Sequence, residues 1–343
     1  MTAAYSIACF FLLSLLYAPV YKAVHSRHSV AMNAVAPVAL APCLSYNSPA
    51  LDQAVFQVLE VCGLQAAGLH VLVKPNLLTA TPLACTSPAV VAAACQWLLD
   101  QGARVCVGDS PGFGRARNVA HSIGLVDALH PLGLSVEELD SPQPLRLDLP
   151  AGRTSRMMVA RQALESDLIL SIPRVKAHCQ MLLTLAVKNC FGCVSSLRKA
   201  LVHTREGRDP ALFADSLAAL WAALPPVAGL ADGITAMHVT GPSRGQPYPL
   251  GLLGASSHAV ALDAALCAVL GLELGQTPLG AALIRRKASG CVESGWELTY
   301  PLCQPDDFVC QGFRLPGELM HTSFRPLRFL QSCIRRLWAA HTP

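Results

Sequence analysis

Apolar residues along this chain fall in short continuous runs separated by polar and glycine-rich segments. The short runs predict strands at Val71–Val73, Arg104–Val107, Leu134–Leu139, Leu168–Ile172, Val227–Leu230 and Leu252–Ala255. Longer apolar-rich stretches predict helices at Ala89–Asp100, Met157–Glu165, Asp209–Leu224 and His258–Leu270. Strands that are continuously apolar are typical of a sheet buried on both faces. The pattern therefore predicts an α/β fold with a mostly parallel sheet covered by helices on both faces.

The composition is unusually apolar for a chain of 343 residues. Hydrophobic types make up 52% and charged types 14%, against roughly 25% charged residues in an ordinary soluble protein. A disordered chain would need low hydrophobicity and high charge, so that class is excluded. The net charge of +4 releases few counterions, which excludes a nucleic-acid binder driven by bulk charge. After residue 21 no stretch approaches the roughly 20 apolar residues of a membrane-spanning helix.

The 14 cysteines are scattered among aliphatic neighbours rather than set in a spaced framework. This usage favours a reducing compartment, with cysteine filling the core. Only Cys190 and Cys193 have CxxC spacing, whereas a four-thiolate site needs a second such pair or a tight run of four. The residues therefore predict no metal site, and Cys190 with Cys193 is the less favoured alternative.

Residues 1–31 differ from the rest of the chain. Ala8–Val20 is an apolar run of signal-peptide length, but the basic residues follow it instead of preceding it, unlike a secretory signal. Two interpretations stay open. Residues 1–31 are a short membrane anchor with its basic flank inside, or translation starts at Met32 and the protein is cytoplasmic.

We expect one α/β domain over residues 32–316, followed by a basic amphipathic helix over residues 317–343. Apolar side chains recur at near-helical spacing in this tail, interleaved with Arg325, Arg328, Arg335 and Arg336. Such a helix is able to lie on an anionic membrane surface or to dock on an acidic or redox partner. The plainer alternative is a terminal helix that packs on its own domain.

Polar side chains follow several of the predicted strands. They are Lys74, Asn76, Asp109, Ser110, Lys176, His178, Lys188, Asn189 and Asp232. Because ligands of open α/β sheets bind outside the carboxyl ends of the strands, these residues are expected to converge in one cleft. The glycine-rich turn Gly108–Gly114 adds main-chain amides that can face an anion.

Each candidate also has a structural explanation. Asp109 could cap the following helix, Asn76 could be a turn residue, and His178 could be a hydrogen-bonded structural histidine. The lysines are harder to dismiss, because the chain has only six and Lys74, Lys176 and Lys188 lie amid apolar sequence. A partly buried lysine needs an anionic partner from the protein or from a ligand. We therefore predict that these three lysines bind an anionic group.

Seven segments in order then carry a family resemblance: VLVKPNL, TSPAVVAAA, VGDSPG, IPRVKAH, LAVKNCFGCV, LADGITAM with GPSRGQP, and GASSHAVALDA. Together they closely resemble the domain of unknown function 362, from about Val38 to about Pro316. The resemblance implies a mixed α/β domain but supplies no reaction. The polar signature residues it implies match Lys74, Asn76, Asp109, Ser110, Gly112, Lys176, His178, Lys188, Asn189, Gly192 and Asp232.

Members of that family are often described as iron–sulfur-centre proteins, and many carry a ferredoxin-like run of cysteines. This chain lacks the run. An iron–sulfur cluster implied by the resemblance would have only Cys190 and Cys193 here, completed across a homodimer.

Two function classes follow. The first is an enzyme that acts on a small carboxylate- or phosphate-bearing molecule, with His178, Asp109 and Lys188 as the catalytic candidates. Its substrate-binding candidates are Lys74, Asn76, Ser110, Gly112, Lys176, Asn189 and Asp232. The alternative is an iron–sulfur-associated electron-transfer or accessory protein that uses Cys190 and Cys193.

Overall fold

The computed structural model describes residues 35–112, 114–286 and 297–320. The expectations for residues 1–31, for a start at Met32 and for the basic helix beyond residue 320 lie outside the described residues. No helix in the described ranges is long and apolar enough to cross a bilayer.

The described chain alternates strands and helices. The strands are β1 Val35–Pro37, β2 Ala39–Pro42, β3 His70–Pro75, β4 Arg104–Asp109, β5 Val136–Glu138, β6 Pro142–Asp148, β7 Thr154–Ala160, β8 Leu168–Ile172, β9 Arg174–His178, β10 Leu182–Thr184, β11 Val227–His238, β12 Gln246–Tyr248, β13 Leu252–Ser256 and β14 Glu297–Thr299. The α-helices are α1 Leu51–Val61, α2 Pro88–Asp100, α3 Ala116–Ser122, α4 Leu125–Leu129, α5 Arg161–Glu165, α6 Ala186–Asn189, α7 Ser196–Glu206, α8 Pro210–Ala223, α9 Ala259–Val269 and α10 Pro278–Arg285. Short 3₁₀ helices cover Pro82–Ala84, His130–Leu132, Pro150–Gly152, Cys190–Cys193, Leu274–Gln276 and Pro305–Asp307.

One mixed sheet forms the centre of the structure. Its strand order is β10-β9-β11-β8-β3-β4-β5, with β12 and β13 paired to β11 and β2 paired to β13. The central neighbours β9, β11, β8, β3, β4 and β5 pair in parallel. Antiparallel pairs in this sheet are confined to β10, β12, β13 and β2. The predicted α/β class with a mostly parallel sheet is therefore confirmed.

Helices cover both faces of this sheet. Along β3, Leu72 packs in the apolar cluster that includes α8, α9 and α10, whereas Val71 and Val73 pack in the cluster that includes α1 to α4. All three side chains are fully buried. Successive side chains of a strand point to opposite faces, so a strand covered on both sides needs a continuous apolar run.

Two predicted elements are wrong in extent or type. The helix expected over Met157–Glu165 is a helix only from Arg161 onwards, because residues 154–160 form β7, paired antiparallel with β6. Alternate β7 side chains, Ser155, Met157 and Val159, are buried, which is the period of a strand. The strand expected over Val227–Leu230 continues to His238 as β11.

Candidate functional site

A buried ion pair lies where two parallel neighbours, β3 and β4, end. Lys74 Nζ is 2.8 Å from Asp109 Oδ1, and both side chains are almost fully buried. Lys74 also donates to the Pro75 carbonyl at 2.8 Å. The Asp109 carboxylate accepts main-chain N–H groups of Leu77 and Ser110, each at 2.7 Å. Each charge of the pair is thus neutralised by the other. The Asp109 carboxylate also hydrogen-bonds the turns that follow the two strands.

Asn189 of α6 connects this pair to the neighbouring strands. Its Nδ2 donates to the Lys74 carbonyl at 2.9 Å and to Ser171 Oγ at 3.1 Å. Its Oδ1 accepts from Asn76 Nδ2 at 3.2 Å and from Lys74 Nζ at 3.4 Å. The structure therefore brings Lys74, Asn76, Asp109 and Asn189 together, and we call these four residues the Lys74 cluster.

Gly192 lies directly against the Lys74 cluster, in the 3₁₀ turn Cys190–Cys193. A Cβ at this position would lie 2.2 Å from Lys74 Cε and Nζ and 2.4 Å from Asp109 Oδ1. Real Cβ atoms do not approach other atoms so closely, so a side chain at position 192 would displace the Lys74 ammonium or the Asp109 carboxylate, and glycine leaves the ion pair in place.

We expect Gly192→Ala to lower the free energy of unfolding by about 1–3 kcal/mol, because overpacking a closed site displaces its neighbours. Urea unfolding of the purified variant measures this change. Gly317→Ala is the matched control, since a Cβ there meets nothing within 4 Å and should be close to neutral. Equal stability of the parent and the Gly192 variant would contradict the expected clash.

Ser110 and Gly112 follow β4. Ser110 is buried, and its Oγ lacks a hydrogen-bond partner in the described part of the chain. Gly112 is half-buried, and a Cβ there would lie 2.9 Å from Leu78 Cδ1. The glycine at 112 thus has a packing reason, and Ser110 offers its hydroxyl beside the Lys74 cluster.

His178 closes the turn between β9 and β10. Its Nδ1 accepts main-chain N–H groups of Gln180 at 3.0 Å and Met181 at 3.3 Å. Burial lowers the pKa of His178 well below 6.5, and the neighbouring Lys188 and Lys176 ammonium groups lower it further. The imidazole is therefore neutral, with its proton on Nε2. His178 can offer an N–H donor there, but not a free base at Nδ1.

Lys176 and Lys188 lie next to His178. Lys176, on β9, is 1% exposed and donates to the Ala84 carbonyl at 2.8 Å. Lys188, on α6, is half-buried. Burial lowers the pKa of Lys176 to about 7 and that of Lys188 to about 8. Among the described residues, neither amine forms an ion pair with a carboxylate.

Two further observations describe the surroundings of Lys176. Thr184 lies opposite Lys176 in the β9–β10 register, and its buried Oγ1 has no hydrogen-bond partner among the described residues. Asp109 is near enough to raise the pKa of Lys176 slightly, against the larger effect of burial. Lys176, His178 and Lys188 form a second group, near enough to affect one another's pKa values, which we call the basic cluster.

Lys199 and His203 of α7 also reach the site, although neither is among the residues predicted from the sequence. Lys199 donates to the Ser110 carbonyl, and burial lowers its pKa to about 8. Burial and, to a smaller extent, the Lys188 and Lys199 charges lower the pKa of His203 to about 4. The one available signal was that Lys199 is one of only six lysines.

Asp232 stands apart from both clusters. It lies inside β11 rather than at a strand end, which corrects the prediction. Its Oδ2 is 3.3 Å from Arg174 Nη2 and accepts the Ser87 N–H at 2.8 Å. Its Oδ1 accepts the Tyr46 hydroxyl at 2.8 Å. The carboxylate thus neutralises an arginine and holds the start of α2, and these contacts give it a structural role.

Cys190 and Cys193 do not fit an iron–sulfur cluster within one chain. Both thiols are buried, and Cys190 Sγ donates to the Ala186 carbonyl at 3.5 Å. Burial raises the pKa of Cys190 well above 9.0 and that of Cys193 to about 11. Cluster ligands are thiolates, and the described residues contain no group of three or more His, Cys, Asp or Glu side chains placed to hold a metal.

The chain is 32% identical over 311 residues to the thylakoid-associated protein sll1697 of Synechocystis sp., across 89% of this chain and 95% of that relative. A solved structure, the lactate racemase apoprotein of Thermoanaerobacterium thermosaccharolyticum, superposes with a TM-score of 0.42 at 14% identity. That match covers 66% of this chain and 55% of the racemase, so this chain spans about half of its length.

The family model of the domain of unknown function DUF362 matches residues 71–268. The matched range runs from β3 to α9 and contains the Lys74 cluster, the basic cluster and Gly192. The chain belongs to the DUF362 family.

Proposed function

We propose that this protein is an enzyme that binds a small carboxylate- or phosphate-bearing substrate at the basic cluster. The observation that carries the proposal is that Lys176 and Lys188 are buried or half-buried and lack a carboxylate partner among the described residues. A buried ammonium without a counter-charge is destabilised by several kcal/mol or loses its proton. An anion bound between the two amines would supply the missing charge.

The neighbouring side chains support distinct roles. Lys188 is the more exposed of the two lysines and is the first contact for the anion, with Lys176 behind it. The Nε2–H of His178 is a neutral hydrogen-bond donor that would polarise a substrate oxygen without giving up its proton. Thr184 Oγ1 offers a further hydrogen bond.

The Lys74 cluster supports a positioning role in this proposal. Its ion pair is internally satisfied, so Asp109 orders the turns around the site instead of acting as the acid or base. Asn76, Asn189 and Gly112 hold the same turns. Ser110 remains a candidate substrate contact, because its buried hydroxyl has no hydrogen-bond partner among the described residues.

We expect sulfate and acetate to raise the melting temperature, more strongly at about pH 6 than at about pH 9. Lys176 and Lys188 have pKa values of about 7 and about 8, so both carry their proton at the lower pH and lose it at the higher. Sulfate stands in for phosphate because its charge is constant over this range. Thermal-shift titrations against sodium chloride of equal ionic strength measure the effect. A response no larger than that to chloride, or one that grows toward alkaline pH, would exclude the proposed site.

We also propose that the protein works at a membrane surface. The support is the thylakoid association stated in the name of its relative, the apolar run Ala8–Val20 and the arginines of the C-terminal segment. A basic amphipathic segment binds anionic lipid headgroups through charge and the bilayer boundary through its apolar side.

A further inference from the structure

Lys188 differs from the other lysines of the site in having no partner for its amine. Lys74 pairs with Asp109, and Lys176 donates to the Ala84 carbonyl. Lys188 forms neither a hydrogen bond nor an ion pair within the described ranges. Its side chain is half-buried, whereas Lys74 is 0% and Lys176 is 1% exposed. The Lys188 amine is therefore the one of these three that a small molecule from solvent can reach and engage.

The groups around Lys188 do not supply a counter-charge. The Cys179 thiol is close to the amine, but burial raises the pKa of this thiol above 9.0, so it is neutral near pH 7. The Asp263 carboxylate accepts two main-chain N–H groups at the start of α6, at 2.7 and 3.1 Å. The remaining titratable neighbours carry a positive charge or none: Lys176, His178 and His203.

This environment favours the neutral form of the Lys188 amine, which is a nucleophile. Burial lowers the pKa of Lys188 to about 8. Compared with about 10.4 in an unfolded chain, this raises the neutral fraction near neutral pH by about two orders of magnitude. A lysine amine that is desolvated, or lies beside another cationic group, is activated to attack carbonyl carbons. Lys188 meets both conditions, because Lys176 is its neighbour.

We propose that Lys188 condenses with the carbonyl group of a small 2-oxo carboxylate. The amine nitrogen forms a bond to the carbonyl carbon, and the carbonyl oxygen leaves as water with the two hydrogens of the neutral amine. An imine remains, and no electrons are transferred. This inference rests on the proposed function and narrows its substrate class, because an anion without a carbonyl carbon cannot react in this way.

The second half of the basic cluster sets the position of the carboxylate. Lys176 and His178 are two residues apart on β9 and therefore lie on one face of the strand. The Lys176 ammonium and the Nε2–H of His178 would hold the carboxylate. Lys176 and Lys188 are close enough for their charges to interact, so the carboxylate and the carbonyl carbon must be close together. A 2-oxo acid, in which they are bonded to each other, meets this requirement.

The test is reductive trapping on the full chain near neutral pH. Pyruvate and sodium cyanoborohydride convert an imine into a stable secondary amine, which peptide mass mapping locates. We expect a single adduct, on Lys188, and slower trapping when sulfate is added. Methyl pyruvate is the matched neutral probe, because its carbonyl carbon is at least as electrophilic. Pyruvate should be trapped at least roughly tenfold faster, since its carboxylate gains charge-assisted hydrogen bonds.

Two variants separate the nucleophile from its charge. Arginine keeps its proton in proteins and is not a nucleophile. Lys188→Arg should therefore keep the rise in melting temperature with sulfate and lose the pyruvate adduct, whereas Lys188→Met should lose both. Arg208→Met is the control for loss of one positive charge, at an exposed position just after α7, and should keep both.

The outcomes distinguish this inference from the proposed function. An adduct on Lys176 instead of Lys188, or equal trapping of pyruvate and methyl pyruvate, would overturn the inference. Absence of any adduct in a protein whose melting temperature rises with sulfate and acetate would overturn the inference and leave the proposed function standing. Absence of both the adduct and the rise would overturn both. If neither Lys188 variant folds, the position of the adduct in the parent chain decides alone.

Discussion

Replacing Lys188 with methionine should abolish the anion-induced rise in melting temperature and leave the ligand-free protein at least as stable as the parent. Methionine keeps most of the packing of the lysine stem and removes the charge. A hydrogen bond to a charged group contributes about 1.5–3 kcal/mol, so anion affinity should fall at least roughly tenfold. The ligand-free variant should gain stability, because it no longer buries an unpaired ammonium.

The pH dependence of the stability difference between Lys188→Met and the parent distinguishes removal of the charge from a general change in packing. Burial lowers the pKa of Lys188 to about 8 in the folded state, against about 10.4 in an unfolded chain. The folded state therefore carries the full penalty of the charge below about pH 8, and the penalty disappears as the pH rises toward about 10.4. The stability gain of Lys188→Met over the parent should shrink across the same interval.

Arg161→Met is the control for loss of one positive charge. Arg161 is exposed on α5, and its side chain forms a 3.8 Å ion pair with Glu165. This variant should keep the full response to anions. If Lys188→Met and Arg161→Met respond to sulfate and acetate as the parent does, Lys188 is a structural residue and the anion site lies elsewhere.

The sheet could be predicted because strands covered on both faces need continuous apolar runs, and such runs are visible in a single sequence. Strand β11 exceeded its prediction because Asp232 and Gly233 resemble a strand end. Asp232 can stay inside a buried strand since Arg174 and Tyr46 neutralise and hydrogen-bond it, and these partners come from distant parts of the chain. Likewise, β7 is a strand because it pairs with β6, although its methionines favour helices.

The Lys74 cluster was predictable in the same way, since parallel strands bring their ends to one edge. The role of each residue within the site was not predictable from the sequence. Asp109 is an ion-pair partner of Lys74 and not a free base because of a 2.8 Å contact between the ends of two strands. His178 Nδ1 is occupied because a tight turn folds back on it. Lys199 arrives from a helix whose position is set by packing, which residue spacing along the chain does not specify.

Breaking the Lys74–Asp109 pair should produce the largest loss of stability in this site. Lys74→Met leaves a buried carboxylate without its cation, and Asp109→Asn leaves a buried ammonium without its anion. Removing one partner of a buried pair typically lowers the free energy of unfolding by about 3–5 kcal/mol. We expect each single variant to fall in that range.

The double variant tests whether the stability losses of the two single variants come from the same interaction. Lys74→Met with Asp109→Asn removes both charges, while the amide oxygen of the introduced asparagine keeps one acceptor for the turn amides. The double variant should therefore lose much less than the sum of the single variants. Urea unfolding gives the coupling energy as a double-mutant cycle. The same cycle on the exposed Arg161–Glu165 pair should give a coupling below about 0.5 kcal/mol.

Additive losses at Lys74 and Asp109 would mean that the two charges act independently and that Lys74 is free to bind substrate. Strong coupling would commit Lys74 to Asp109 and leave Lys176 and Lys188 as the lysines available to an anion.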